Sequence, residues 1–159
     1  MRKLIVASAL FWTLPATADA PQAVWINAAG TFDIDLVNSG SFAATGAIQD
    51  SGSYIDYPIF QGQAILVTRI LSTAAGDYIE ISINGNHVSG SEVPPTWCPA
   101  PDAVPDTFVV AEIGNWKVAS GTGHYASLKG TGAWATWVTV DAVTFQPISS
   151  QECLLGRVQ

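Results

Sequence analysis

The chain has 159 residues, with 13 acidic and six basic side chains and a hydrophobic fraction of 48%. The basic residues do not cluster, which argues against binding to a nucleic-acid backbone or to an anionic membrane surface. The length fits one domain with a substantial buried core.

Residues 1–18 have the pattern of an export signal. Arg2 and Lys3 precede an apolar run, Leu4 to Leu14, that is too short to span a bilayer. An Ala-x-Ala site predicts cleavage after Ala18, and the alternative is an uncleaved anchor. The remaining segment, 19–159, has four basic and 13 acidic side chains, a net charge of about −9. We therefore expect an exported protein, periplasmic or extracellular, that is not embedded in a membrane.

Short alternating runs follow, separated by Gly, Asn, Asp and Ser, and they predict β-strands. The alternation of Phe32, Ile34 and Leu36 predicts a half-buried strand that ends at the sequence Asn38-Ser39-Gly40. Two further runs, 42–48 and 53–57, predict the next strands.

The middle of the chain contains one strand that is apolar on both faces, residues 63–71, with Arg69 as the exception. After a turn at 74–77, Ile79, Ile81 and Ile83 share one face of another strand, and Asn84-Gly85 predicts a tight turn. Five prolines then exclude regular structure from 89–106 and predict the one long loop.

The C-terminal part predicts strands at 107–120, 133–140 and 143–148, with a bulge or a hairpin turn at Gly114-Asn115. Many short strands with short connections indicate a single antiparallel all-β domain, either a barrel or a sandwich.

Cys98 and Cys153 are the only cysteines. In an exported chain they most simply form a disulfide, which would tie the Pro-rich loop to the C-terminal tail. Free thiols and an intermolecular bridge are the alternatives.

The segment 116–132, WKVASGTGHYASLKGTG, resembles a motif of exported bacterial proteins related to the allene oxide cyclase and dirigent barrels. The motif positions are Gly121, Thr122, Gly123, Tyr125, Leu128, Gly130 and Gly132. Weaker similarity extends over 42–140, and the Pro-rich loop departs from the plant pattern. The resemblance implies an eight-stranded antiparallel barrel with an apolar cavity, trimeric in the plant relatives, whose plant members guide cyclisation or coupling.

The same glycines formally match the dinucleotide fingerprint G-x-G-x-x-G/A from Gly121 to Ala126. That fingerprint requires a strand followed by a long helix, and Gly130 and Gly132 would stop a helix after about two turns. We therefore predict no cofactor. Instead, the glycines are expected to supply left-handed turns, while Tyr125 and Leu128 close one barrel end.

Aromatic side chains are the candidate ligand contacts. Trp116, Trp134, Trp97 and Phe108 would form an aromatic wall for an apolar or sugar ligand, with core packing as the alternative. The two histidines, His87 and His124, lack the spacing of a metal site with the cysteines, so no metal is predicted.

Glu112 is the candidate catalytic residue. It alternates in phase with Phe108 and Val110, and with Trp116 if Gly114 leaves the register undisturbed. A carboxyl group inside an apolar barrel would have a raised pKa and could act as a general acid.

Three functions remain open at this point. The first is binding of a small apolar molecule in the barrel lumen, and the second is a cofactor-free cyclase or isomerase that uses Glu112 or a tyrosine. The third is a carbohydrate-binding or surface-interaction module that uses Trp97. The resemblance also implies a homo-oligomer, a trimer in the plant relatives.

Overall fold

The computed structural model describes residues 20–88 and 95–159. The predicted signal peptide 1–18, and residues 89–94 of the Pro-rich loop, lie outside the described residues. Within the described ranges, no helix is long and apolar enough to span a bilayer.

Eight strands and one short 3₁₀ turn make up the described chain. The strands are β1 (Gln22–Phe32), β2 (Asn38–Gly46), β3 (Asp50–Gln61), β4 (Ala64–Thr73), β5 (Tyr78–His87), β6 (Thr107–Gly121), β7 (Gly130–Asp141) and β8 (Pro147–Val158). Every strand pairs antiparallel with the next, and β8 pairs with β1, which closes the barrel. The predicted eight-stranded antiparallel barrel is confirmed, and the alternative of a sandwich is wrong.

One half of the barrel interior is filled by side chains. The interior positions near the start of β1 and the end of β8 hold Val24, Ile26, Phe42, Leu71, Ile79, Ile81, Trp116, Val118, Leu154 and Val158, all buried. Tyr125 and Leu128 pack against this cluster from the connection between β6 and β7. We call this part the closed half, and the opposite part the open half.

The connection between β6 and β7 contains the Gly-Thr-Gly motif. Only Gly123 has a left-handed backbone, with φ of 52°, at the start of the 3₁₀ turn Gly123–Tyr125. Gly132 is required for another reason, because a Cβ there would lie 2.6 Å from the Trp116 indole nitrogen and still closer to a β8 carbonyl oxygen. The prediction that all these glycines supply left-handed turns is therefore wrong for Gly121, Gly130 and Gly132.

The first predicted strand is misplaced. Residues 33–37 form the β1–β2 turn, in which Asp33 Oδ1 accepts the backbone N–H groups of Asp35 and Val37 and Leu36 has a φ of 62°. Asn38 begins β2 rather than ending a strand, and its side chain is buried in the barrel interior.

Asn84-Gly85 is not a turn, because β5 continues through both residues to His87. Gly85 is needed for packing: a Cβ at this position would lie 2.5 Å from the Trp134 ring. Gly114 likewise lies within β6, where a Cβ would collide with the Asn84 carbonyl oxygen. No break occurs in the β6 register at this point.

The last predicted strand, 143–148, is also wrong over most of its length. Asp141 Oδ1 accepts the backbone N–H groups of Val143 and Thr144, and Phe145 has a φ of 59°, so these residues form the β7–β8 turn. The strand that follows this turn is β8, which runs from Pro147 to Val158.

The predicted disulfide is confirmed, since Cys98 and Cys153 are bonded within the chain. It fixes the Pro-rich loop against the outside of the barrel, where both sulfur-bearing residues are buried with Ala135. Trp137 Nε1 donates a hydrogen bond of 2.8 Å to the Cys98 carbonyl oxygen, which anchors the loop a second time.

Candidate functional site

The open half of the barrel contains a cavity of about 330 Å³. This volume lies at the lower end of the range for small-molecule sites. Its walls are mostly apolar and are formed by Phe32, Leu36, Pro58, Phe60, Ile65, Val67, Val110, Val138, Val140, Phe145 and Pro147. Polar side chains also line it: Asn38, Asp56, His87, Glu112, Thr136, Gln146, Ser150 and Glu152.

A buried ion cluster separates the cavity from the closed half. Arg69 on β4 is fully buried, and its guanidinium group bonds Asp56 through Nε at 2.7 Å and through Nη2 at 2.6 Å. The same Nη2 donates to Glu152 Oε2. The Tyr54 ring lies under the guanidinium carbon, 4.6 Å from it. Because a buried charge needs a partner, Arg69 and its two carboxylates act as one unit.

Glu152 on β8 accepts hydrogen bonds from every side of this cluster. Its carboxylate receives Asn38 Nδ2 at 2.8 Å, the Ser150 hydroxyl at 3.2 Å, and Trp134 Nε1 at 2.9 Å. The Tyr54 hydroxyl adds a longer bond of 3.4 Å. With so many donors, Glu152 is a fixed part of the cavity base.

The pKa values of the cluster follow from burial and from the neighbouring charges. Burial raises the pKa of Asp56 to about 6, although the Arg69 charge opposes the rise. Burial alone would lower the pKa of Arg69, but the adjacent carboxylates of Asp56 and Glu152 raise it above its ordinary value. Burial and the Glu152 charge raise the pKa of Tyr54, whose phenol therefore stays neutral and donates.

Glu112 lies in the cavity wall on β6 and is buried. The strand alternation continues through Gly114, so Glu112 shares the interior face with Val110 and Trp116. His87 Nδ1 at the rim lies 3.2 Å from Glu112 Oε1. Burial, followed by the charge of Glu152, raises the pKa of Glu112 from 4.5 to about 7. The catalytic role itself stays a prediction.

The raised pKa of Glu112 predicts a pH-dependent stability. Because the folded state holds this proton more tightly than the unfolded state does, the contribution is complete below about pH 4.5 and is lost as pH rises to about 7. The free energy of unfolding of Glu112→Gln, minus that of the wild type, should increase by about 2–3 kcal/mol over this range. Urea unfolding at several pH values measures the difference.

The control for this experiment is Glu80→Gln, the same chemical change on the outer face of β5, where Glu80 accepts a hydrogen bond from Ser120. The free energy of unfolding of Glu80→Gln, minus that of the wild type, should stay constant between the same pH values. A flat difference for Glu112→Gln as well would contradict a raised pKa.

The four candidate aromatic contacts are placed differently from one another. Trp134 lines the cavity and is buried. Trp116 is buried in the closed half, away from the cavity, and its indole N–H donates to the Leu155 carbonyl oxygen at 3.4 Å. Phe108 lies at the rim, where its ring centroid is 6.0 Å from that of Phe145. An aromatic wall formed by all of them is therefore not present.

Trp97 lies outside the barrel. Its ring packs edge-on against Trp25, with 6.1 Å between centroids, and contacts the cluster around the disulfide. This position fits a role in holding the Pro-rich loop. Carbohydrate binding through Trp97 stays a prediction.

Asp56, Arg69 and Glu152 were not predicted as site residues. The only sequence signal for them is Arg69 itself, a charged residue in a strand that is otherwise apolar on both faces. Such a residue at an interior position requires a carboxylate partner, but the partners lie 13 and 83 positions away. Among residues 20–88 and 95–159, no group of three or more His, Cys, Asp or Glu side chains could hold a metal ion.

Comparisons with protein families, with curated proteins and with solved structures find no match to this chain. The resemblance of 116–132 to the allene oxide cyclase and dirigent barrels therefore remains a hypothesis. What is established is the architecture: a closed eight-stranded antiparallel barrel with a disulfide-anchored loop and a cavity in one half.

Proposed function

We propose that the open half of the barrel binds a small, mainly apolar molecule. The observation that supports this proposal is the contrast between the two halves of one interior. Close packing is the rule in protein interiors, and the closed half obeys it. The open half instead surrounds a cavity of about 330 Å³ whose walls are mostly apolar, with polar groups at its base, in its wall and at its rim. This combination is typical of small-molecule sites.

Neighbouring residues on β6 provide a matched test. Val110 lines the cavity, whereas Val109 is partly exposed on the outer face. A tryptophan at position 110 would fill much of the cavity, so Val110→Trp should abolish the binding of 1-octanol measured by calorimetry. Val109→Trp should bind octanol like the wild type. Equal binding by all three proteins would place the octanol outside the lumen.

Export is part of the proposal. The signal-like residues 1–18 and the internal disulfide support an exported protein, since disulfides persist in oxidising compartments. A relationship to the allene oxide cyclase and dirigent barrels, and a trimeric assembly, are compatible with the barrel. Many unrelated proteins share such barrels, so the fold alone carries no activity.

A cofactor-free isomerase or cyclase is the second candidate function. Glu112 favours it, because this carboxyl group lies in the cavity wall and has a pKa of about 7, suitable for proton transfer near neutral pH. Glu112→Gln should then retain octanol binding. In the native host it should retain an unconverted ligand, with the same mass as the wild-type ligand but a different chromatographic retention. An identical ligand on both proteins would exclude this activity.

A further inference from the structure

We propose that the cavity selects apolar molecules that carry one protonated amine, and that the ammonium group binds the Glu112 carboxylate. This inference rests on the proposed lumen binding and specifies its ligand class. It follows from the hydrogen bonding of the interior carboxyl groups, from the charge of the lumen, and from the charge around the barrel mouth.

The three interior carboxyl groups differ in how completely they are hydrogen-bonded. Asp56 receives two hydrogen bonds from Arg69, and Glu152 receives bonds from Arg69, Asn38, Ser150 and Trp134. Within the described part of the chain, no hydrogen bond to the Glu112 carboxyl group is found. The nearest side-chain nitrogen is Nδ1 of His87, which lies 3.2 Å from Glu112 Oε1 on a partly exposed side chain at the rim. Since buried carboxylates require donors, Glu112 is the group with capacity for a donor on a ligand.

The lumen also holds more acidic groups than basic ones. Arg69 is fully buried and bonds two carboxylates, Asp56 and Glu152, so its single charge cannot also compensate Glu112. When Glu112 is ionised, a neutral ligand brings no opposite charge to it, and an anionic ligand adds to its negative charge. A cationic ligand compensates it, and the attraction is strong because the site is largely shielded from water.

Arg69 does not offer an anionic ligand a binding site. Its Nη1 is buried without a hydrogen-bond partner among the described residues, but Arg69 does not line the cavity. An anionic ligand at the base of the cavity would instead meet the carboxyl groups of Asp56 and Glu152, which do line it.

The barrel mouth is acidic. The turns and strand ends around the open half contribute Asp33, Asp35, Asp106 and Asp141. Among the residues that the structure describes, the cationic side chains outside the lumen are Lys117, Lys129 and Arg157, and they belong to the closed half of the strands or to the connection at that end. Acidic residues also occur in the closed half, including Asp50, Asp77 and Glu80, so the positive and negative charges of that half are nearly balanced. The negative charge around the barrel mouth raises the local concentration of cationic ligands and repels anionic ones.

Binding of an amine should depend on pH. The titratable or charged groups that face Glu112 are His87 on β5, Glu152 on β8, and, across the lumen, Asp56 and Arg69. A bound ammonium group would lower the Glu112 pKa from about 7, because an opposite charge favours the ionised form. Amine binding near neutral pH should therefore release protons, whereas alcohol binding should not.

A series of three probes tests the proposal: octylamine, 1-octanol and octanoate, each of a size suited to the cavity. Calorimetry at about pH 8.5 keeps Glu112 ionised and the amine protonated. Octylamine should bind about 10- to 100-fold more tightly than octanol, which is the effect of one charge-assisted hydrogen bond. Octanoate should bind more weakly than octanol. Glu112→Gln should remove the preference for the amine, while the outer-face control Glu80→Gln should retain it.

Each outcome has a definite meaning. Equal affinity for amine and alcohol, or tighter binding of octanoate, overturns the amine proposal and leaves lumen binding intact. If none of the three probes binds, lumen binding itself is contradicted. If Glu112→Gln fails to fold, the affinities of the wild type for octylamine and octanol are compared again at about pH 5.5. Because Glu112 is protonated at that pH, the preference for the amine should fall. A preference unchanged at the lower pH would contradict the role of Glu112.

Discussion

Replacing Arg69 with Met is expected to lower the free energy of unfolding by about 3–5 kcal/mol, the usual effect of removing one partner from a buried ion cluster. The substitution keeps most of the volume of the side chain but leaves Asp56 and Glu152 buried side by side without their cation. Guanidinium chloride unfolding, followed by tryptophan fluorescence, measures the loss. For a domain of this size the loss is a large fraction of the total stability.

The effect should grow with pH. Without the Arg69 charge, which opposes the effect of burial, the folded-state pKa of Asp56 should rise above its wild-type value of about 6, so the variant loses further stability as pH increases beyond that value. Adding Asp56→Asn to Arg69→Met should restore part of the stability, because one uncompensated charge is removed. Arg157→Met, an exposed position on β8, serves as the control and should change stability by less than about 0.5 kcal/mol. A midpoint for Arg69→Met equal to that of this control would contradict the account of the ion cluster.

The second large effect is expected from the disulfide. Cys98 and Cys153 are 55 positions apart, and a bridge of that span restricts the unfolded chain by about 4 kcal/mol in the chain-entropy treatment. The double variant Cys98→Ala, Cys153→Ala should lose about this amount. Loss of the anchored loop would also expose the apolar patch around Ala135 and Trp137 on the outside of the barrel.

Reduction of the wild type provides the matched experiment. Dithiothreitol should bring its unfolding midpoint close to that of the double variant, while the double variant itself should not respond. A wild-type midpoint that is insensitive to full reduction would show that the bridge adds no stability.

The fold class is predictable from the sequence because alternation survives along most of the strands. Ile79, Ile81 and Ile83 lie on the inner face of β5, as their spacing indicates. Errors occur where a residue has a role that depends on a distant partner. The sequence Asn84-Gly85 predicts a turn, but Gly85 is required because the Trp134 ring occupies the space that a Cβ would need. Nothing in the local sequence of β5 indicates that contact.

Turns that continue an alternating pattern are a second source of error. Ile34 and Leu36 extend the alternation of β1 by two positions, but Asp33 folds the backbone into a turn through side-chain hydrogen bonds. Ile34 is 96% exposed, so its apolar character does not indicate burial. Conversely, the tail that forms β8 contains Ser150, Gln151 and Glu152, which weaken its strand pattern.

The candidate site is predictable only in part. Glu112 can be placed inside by alternation along one strand, and the structure places it in the cavity wall. The ion cluster requires the register between β3, β4 and β8, because Arg69 meets Asp56 directly across the β3–β4 pair and meets Glu152 across the lumen. Pairings across a lumen depend on barrel closure, which no local pattern specifies.

Native mass spectrometry of the protein purified from its own host tests most directly the central claim that the open half of the barrel holds a small molecule. The wild type and Val109→Trp should carry one additional small-molecule mass per chain, whereas Val110→Trp should carry none. Masses equal to the bare polypeptide for all three proteins, or an additional mass that Val110→Trp retains, would contradict it.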